Sequence, residues 1–229
     1  NFTLGGGTLT DLKDNPDNTF ATLNPLSGSF TNNTLSQGNN TIAVTSGWRW
    51  RPSTIAPSSR KYYAEFKPTS GSTIYTAMGV TPQVSWRLID AETIGSGAGG
   101  ENKSVGYTNS GNIKKGNSTV YTGSSYTGSG DIVGVAMDLD NHKVYFSKNG
   151  VWQNSGDPTS GATGTGAVSL DATLDDWSVS ISAAGTTVSA NYGNGYFGTT
   201  AITTNSGNGY EGAEGASKFN YQPPTGYSA

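Results

Sequence analysis

Residues 130–152 read GDIVGVAMDLDNHKVYFSKNGVW, and this stretch decides the fold. From Ile132 to Leu139, Val133, Val135, Met137 and Leu139 share one face of an extended chain. Ile132, Gly134 and Ala136 make the other face small and apolar, which predicts a strand buried on both sides. Asp140 and Asn141 bond readily to their own backbone and mark a reversal. A second β-rich run follows from Lys143 to Lys148, in which Val144 and Phe146 alternate with Tyr145 and Ser147. Asn149-Gly150 is the dipeptide that most readily takes positive φ at both centres of a two-residue hairpin turn, and Val151-Trp152 begins the return. Three strands joined by two tight turns make a meander.

Composition extends this reading to the whole chain. With 33% hydrophobic and 13% charged residues and 33 glycines among 229 residues, the sequence is poor in helix formers and rich in strand and turn formers. Five Trp and 12 Tyr supply large apolar surfaces where aliphatic residues are scarce, which argues for a packed core. The expected fold class is all-β, one domain over residues 18–229, with residues 1–17 an N-terminal arm or edge strand. A net charge of −3 leaves no basic field for a phosphate backbone, so nucleic acid is not an expected partner. No apolar run approaches the roughly 20 residues that span a bilayer.

Outward from the meander, alternation marks further strands at Thr41 to Thr45, Lys61 to Pro68, Ser72 to Val80, Val84 to Ile89, Trp177 to Ser182 and Thr187 to Tyr192. Phe20 to Leu26 is a buried candidate, whereas Asp90 to Gly100, Asn109 to Asn117, Gln153 to Gly166 and Thr199 to Ala216 read as loops. Trp48-Arg49-Trp50-Arg51 has two readings. Extended, it presents either a ridge of aromatics and cations to a partner, or two tryptophans packed inward with both arginines in solvent. Pro52 places the strand at a sheet edge or ends it.

Several of these segments, in order, resemble the SPRY (B30.2) domain, and in particular the SPRY-type proteins encoded by bacteriophages. The resemblance rests on the Gly130 to Gly150 pattern, on NTFATLNPL from Asn18 to Leu26, and on RPSTIAPSSRKYYAEF from Arg51 to Phe66. It extends to Val105-Gly106-Tyr107, WSVSISAAGTTVSANY from Trp177 to Tyr192, Phe197-Gly198, and FNYQPPTGY from Phe219 to Tyr227, the last resembling a terminal strand. It implies a two-sheet antiparallel β-sandwich of the concanavalin-like jelly-roll type. It also implies a non-catalytic interaction or structural module on a virion surface or otherwise extracellular, such as a capsid decoration, tail or fibre protein. The partner would be a protein, including other virion subunits. The alternative is a carbohydrate-binding module for host-cell glycans.

Groups for catalysis are scarce. His142 is the single histidine and sits in a turn, there is no cysteine, and no zinc ligand set can be assembled. No cofactor is expected. Asp138 and Asp140 have the spacing of alternating acids on one strand face, as a glycosidase pair would require, but they bracket a turn, where acids serve as hydrogen-bonding caps. Calcium would have only Asp175-Asp176, or Asp138 with Asp140 and Asn141, to work with. SPRY domains recognise partners with loops at one end of the sandwich. The resemblance therefore places candidate binding residues at Arg49, Arg51, Tyr121, Tyr126 and Trp152, a hot-spot composition if they share a surface.

Overall fold

The computed structural model describes residues 20–28, 30–70, 75–83, 94, 103–126, 129–202 and 217–229. The arm at 1–17, the strand expected at Val84 to Ile89, and most of the expected loops at 90–100 and 199–216 lie outside these. The described strands are β1 (Asn33–Ser36), β2 (Thr41–Val44), β3 (Arg49–Pro52), β4 (Lys61–Ser70), β5 (Tyr75–Pro82), β6 (Val105–Thr108), β7 (Asn112–Lys115), β8 (Ser118–Thr122), β9 (Val133–Asp138), β10 (Lys143–Lys148), β11 (Val151–Trp152), β12 (Val168–Ser169), β13 (Trp177–Ala184), β14 (Thr187–Asn191), β15 (Tyr196–Phe197) and β16 (Thr200–Ala201). One antiparallel sheet runs β1-β2-β14-β4-β9-β10-β11, with β12 also on β10. The other runs β3-β13-β5-β6-β7-β8.

The meander forms as its sequence dictates. Phe146 pairs with Val135 and Val144 with Met137, and Ser147 pairs with Trp152 across the second turn. Asn149 and Gly150 have φ of 50° and 78°, the conformation that Asn-Gly adopts at least cost. The turn is braced from outside: Asn149 Oδ1 accepts from Ile132 N, and Asn149 Nδ2 donates to Asp131, which also pairs with Lys148 at 3.4 Å.

Between the sheets lies the main core, to which the odd residues Val133, Val135 and Met137 of β9 contribute. Ala64 and Phe66 of β4, Val144 and Phe146 of β10, and Val179, Ile181 and Ala183 of β13 join them. Even-numbered Ala136 faces the opposite way, into a second cluster with Tyr63, Tyr145, Phe219 and Tyr227. Strand β9 is thus buried on both faces because the C-terminal residues 217–229 lie over the outside of this sheet.

That C-terminal segment departs from expectation. Phe219 to Tyr227 is a strap, not a strand: it forms no continuous ladder, and the residues flanking it make isolated parallel bridges, Lys218 with Asn194 and Ser228 with Tyr62. Pro223 and Pro224 have no N–H to give to a ladder. Other differences are local. Asn109 to Asn117, read as a loop, contains β7, whose polar sequence hides a strand, while the polar stretch before Asn40 supplies β1, which pairs with β2 in a hairpin. Leu26, expected to be buried, is 85% exposed, while Leu23 in the same segment is fully enclosed.

Candidate functional site

The five residues singled out from the sequence do not form one surface. Arg49 and Arg51 lie on β3 and Tyr121 on β8, the two opposite edges of the same six-stranded sheet. Five inter-strand steps separate them, or ~24 Å. Tyr121 and Tyr126 pack with the core between the sheets, whereas Trp152 packs against the cluster on the outer face; Gln153 Oε1, next to Trp152, accepts from Ser124 N between the two tyrosines.

Their environments differ as much as their positions. Arg51 is only 5% exposed, so neither a solvated nor a partner-seeking arginine stands here. Its guanidinium donates five hydrogen bonds, to the carbonyls of Asn24, Pro25 and Ser27 and twice to Asn33 Oδ1, and burial lowers its pKa from the ordinary value. It ties the segment before β1 to the sheet edge. Arg49 donates to Thr31 O and Trp48 O. Of the two tryptophans, Trp50 is fully buried and Trp48 is partly exposed, its ring edge-on to Tyr75 at 6.3 Å. Tyr126 is buried in the core, where its hydroxyl donates to Tyr107 O at 2.8 Å and its ring packs on Tyr107 at 5.1 Å; burial raises its pKa. Arg51 and Tyr126 are therefore corrected from surface candidates to internal supports.

The acids considered for catalysis are likewise committed. Asp138 is fully buried, paired with Lys61 at 2.8 Å and accepting from Asn141 N and Nδ2, while Asp140 Oδ1 accepts from Arg60 N. Among the described residues no group of three or more His, Cys, Asp or Glu is placed to hold a metal ion, and no helix is long and apolar enough to cross a membrane.

Trp152 does line a concavity. A groove of about 600 Å³ lies between the β10–β11 hairpin, the loop that follows Trp152, and the strap. Its walls include Trp152, Asp157, Thr159, Tyr221, Gln222 and Pro224. Trp152 is held at its back by the ring of Tyr63, edge-on at 6.4 Å. Tyr221 lies over the turn so closely that a Cβ on Gly150 would stand 2.7 Å from its ring. Asp157 Oδ1 is engaged by Thr159 N and Oγ1, which holds its pKa below the usual carboxylate range. Gly150→Ala carries two penalties, positive φ and this ring contact. It should cost about 1 kcal/mol or more and displace Tyr221, read as a lower unfolding midpoint with altered tyrosine fluorescence.

The sequence reasoning missed Glu65. It lies on β4, is 0% exposed, and accepts from four donors. Oε2 takes Asn220 N at 2.8 Å and Asn191 Nδ2 at 3.3 Å; Oε1 takes Tyr221 N at 2.8 Å and the Tyr63 hydroxyl at 3.2 Å. Burial pushes its pKa up to about 7, against the opposing pull of those donors. The sequence signal was the alternation of β4: Tyr62, Ala64 and Phe66 serve one face, which puts a carboxylate at 65 on the other. Only the strap, invisible in a local pattern, makes that other face interior.

A search of protein-family models finds no match to the chain, and neither does a search of curated proteins. Solved structures do match. The SPRY domain of human HERC1 superposes with a TM-score of 0.56 at 16% identity, over 73% of this chain and 96% of that one. A second human SPRY domain gives 0.50 at 16% identity, over 70% of this chain and 94% of the other. The fold is the SPRY β-sandwich.

Proposed function

We propose that this chain is a non-catalytic interaction module that binds a protein partner in the groove between Trp152 and Tyr221. The observation that carries the reading is the groove itself: two braced aromatic rings face it beside proline and short polar side chains, the composition from which hot spots are built. The SPRY fold agrees with it as an analogy, since function resides in sites grafted on a scaffold. In its finer form, which rests on the resemblance of short segments to phage-encoded proteins, the module is a virion surface component and its partners include other virion subunits. The same groove favours one alternative, a neutral saccharide, because flat rings stack on sugars while Asp157, Thr159 and Gln222 suit hydroxyl groups.

The test is to pan a random peptide library and a glycan array with the wild type and with Trp152→Ala and Tyr221→Ala. The protein reading expects peptides whose affinity falls at least tenfold in both variants, about 1.4 kcal/mol or more, with thermal unfolding still cooperative. Neutral glycans lost in the same variants would establish the alternative. Ligands that bind both variants as well as the wild type would move the site elsewhere.

A further inference from the structure

The strap is fixed at its two ends by backbone bonds, Lys218 N to Gly193 O at 2.8 Å and the exchange between Ser228 and β4, Ser228 N to Lys61 O and Tyr63 N to Ser228 O. Between them its hold on the sheet is different in kind. Phe219 packs edge-on against Tyr63 at 4.9 Å, and the successive amides of Asn220 and Tyr221 both end on the one carboxyl of Glu65. Beyond Gln222, Pro223 and Pro224 have no amide to offer. Residues 221–225 then form one side of the groove. Glu65 therefore holds the point where the strap turns into the groove wall.

The surroundings of Glu65 accommodate both of its protonation states. As a carboxylate it accepts from all four donors. As an acid it must donate, and the neighbour able to accept is the Tyr63 hydroxyl on Oε1. If Tyr63 accepts, its own proton needs a further acceptor. The buried Ser147 hydroxyl lies beside it and interacts with it: a Cβ on Gly134 would run into both Ser147 Oγ and Tyr63 Oη, so the two hydroxyls converge on the same glycine. Ser147, Tyr63 and Glu65 thus make a row through which a proton on Glu65 is matched by rotation of two hydroxyls.

We propose that Glu65, with Tyr63 and Ser147, is a protonation-dependent clasp that sets whether the strap lies closed over the sheet and so whether the groove wall is in place. The other ionisable groups facing it are few. On β4, Lys67 carries its ammonium to the Phe197 ring at 5.8 Å. On the strap, the stem of Lys218 runs along Gly195, and the Tyr221 phenol has its pKa raised by burial, Glu65 and Asp131. No ion pair to Glu65 forms among the described residues. The direction follows from linkage: the closed form holds the proton up to about pH 7, whereas a solvated glutamate releases it near 4.5. Closure is thus favoured at acidic pH, and the contribution is lost as pH rises through about 7.

The experiment is native-state hydrogen exchange of the unliganded chain between pH 5 and 8, corrected for the intrinsic pH dependence of exchange. The Asn220 and Tyr221 amides should show an opening equilibrium that grows on the order of tenfold to a hundredfold across this range. The Val135 and Phe146 amides should not follow. In Glu65→Gln the opening equilibrium should become flat with pH. In Ser147→Ala, which keeps the carboxyl and the fold, its midpoint should shift to lower pH because the neutral form loses its terminal acceptor. A pH-independent wild type, or a pH dependence that survives Glu65→Gln, overturns the clasp. The inference reaches ligand binding only through the groove reading above. Because exchange is measured without ligand, the clasp stands or falls separately from that reading.

Discussion

Phe146→Ala should destabilise the fold by about 3–5 kcal/mol, the cost of emptying a large aromatic site in a core that cannot collapse around it. Phe146 is 2% exposed, lies opposite Val135 in β9, and its ring meets Tyr107 of the other sheet at 5.8 Å. It therefore bridges the two sheets. The denaturant midpoint should fall while the slope of the transition stays constant, because the area exposed on unfolding hardly changes. Val120→Ala on β8 is the control: the side chain is 49% exposed, and its loss should stay within about 0.5 kcal/mol. A Phe146→Ala cost near that of the control would mean that the two sheets are not packed through this ring.

Arg51→Ala should cost about 2–3 kcal/mol, a large effect for a residue that reads as a surface cation in the sequence. The loss has two parts, the five hydrogen bonds of the guanidinium and the packing of its stem at the edge of the sandwich. Arg51→Lys should recover only part of it, since a single ammonium cannot reach three carbonyls and Asn33 in the geometry of a planar fork. Hydrogen exchange should localise the loosening to the segment before β1. A variant as stable as the wild type would show that water replaces the guanidinium without penalty.

How much of this was legible in the sequence depends on the range over which the signal acts. The meander was fully legible because its alternation, its turn residues and its pairing partners all lie within 23 residues. Strands β13 and β14 were legible by alternation. β1 and β7 were not, since NTLS and NIKK carry one apolar residue each and gain strand character from their neighbours. Arg51 misled for a related reason. A cation alternating with tryptophan is solvated unless some distant segment supplies carbonyls, and that segment, Asn24 to Ser27, has no property of its own that announces the role. The strap misled in the opposite sense, since FNYQPPTGY has the aromatics of a strand but its two prolines cannot enter a ladder. Trp152 is half-buried and lines the groove. Its partner in the groove, Tyr221, and the carboxylate that places that partner, Glu65, lie far apart in the chain.

The sheet topology also bears on how the molecule comes to be folded. The pairing of β13 with β5 joins Trp177 to Pro82, and that of β4 with β9 joins Phe66 to Val133, so the centre of each sheet is closed by residues far apart in sequence. Loops of that length must be ordered before the contacts that reward them exist, which makes assembly slow relative to a helical domain of the same size. The meander is the exception, a local unit that can nucleate. β13 and β14 come late in the chain and are each inserted between two strands from its first half, β13 between β3 and β5 and β14 between β2 and β4. During that interval the two halves of the sandwich expose apolar faces and unpaired edges, and the vulnerable period of this protein is its synthesis, not its native life.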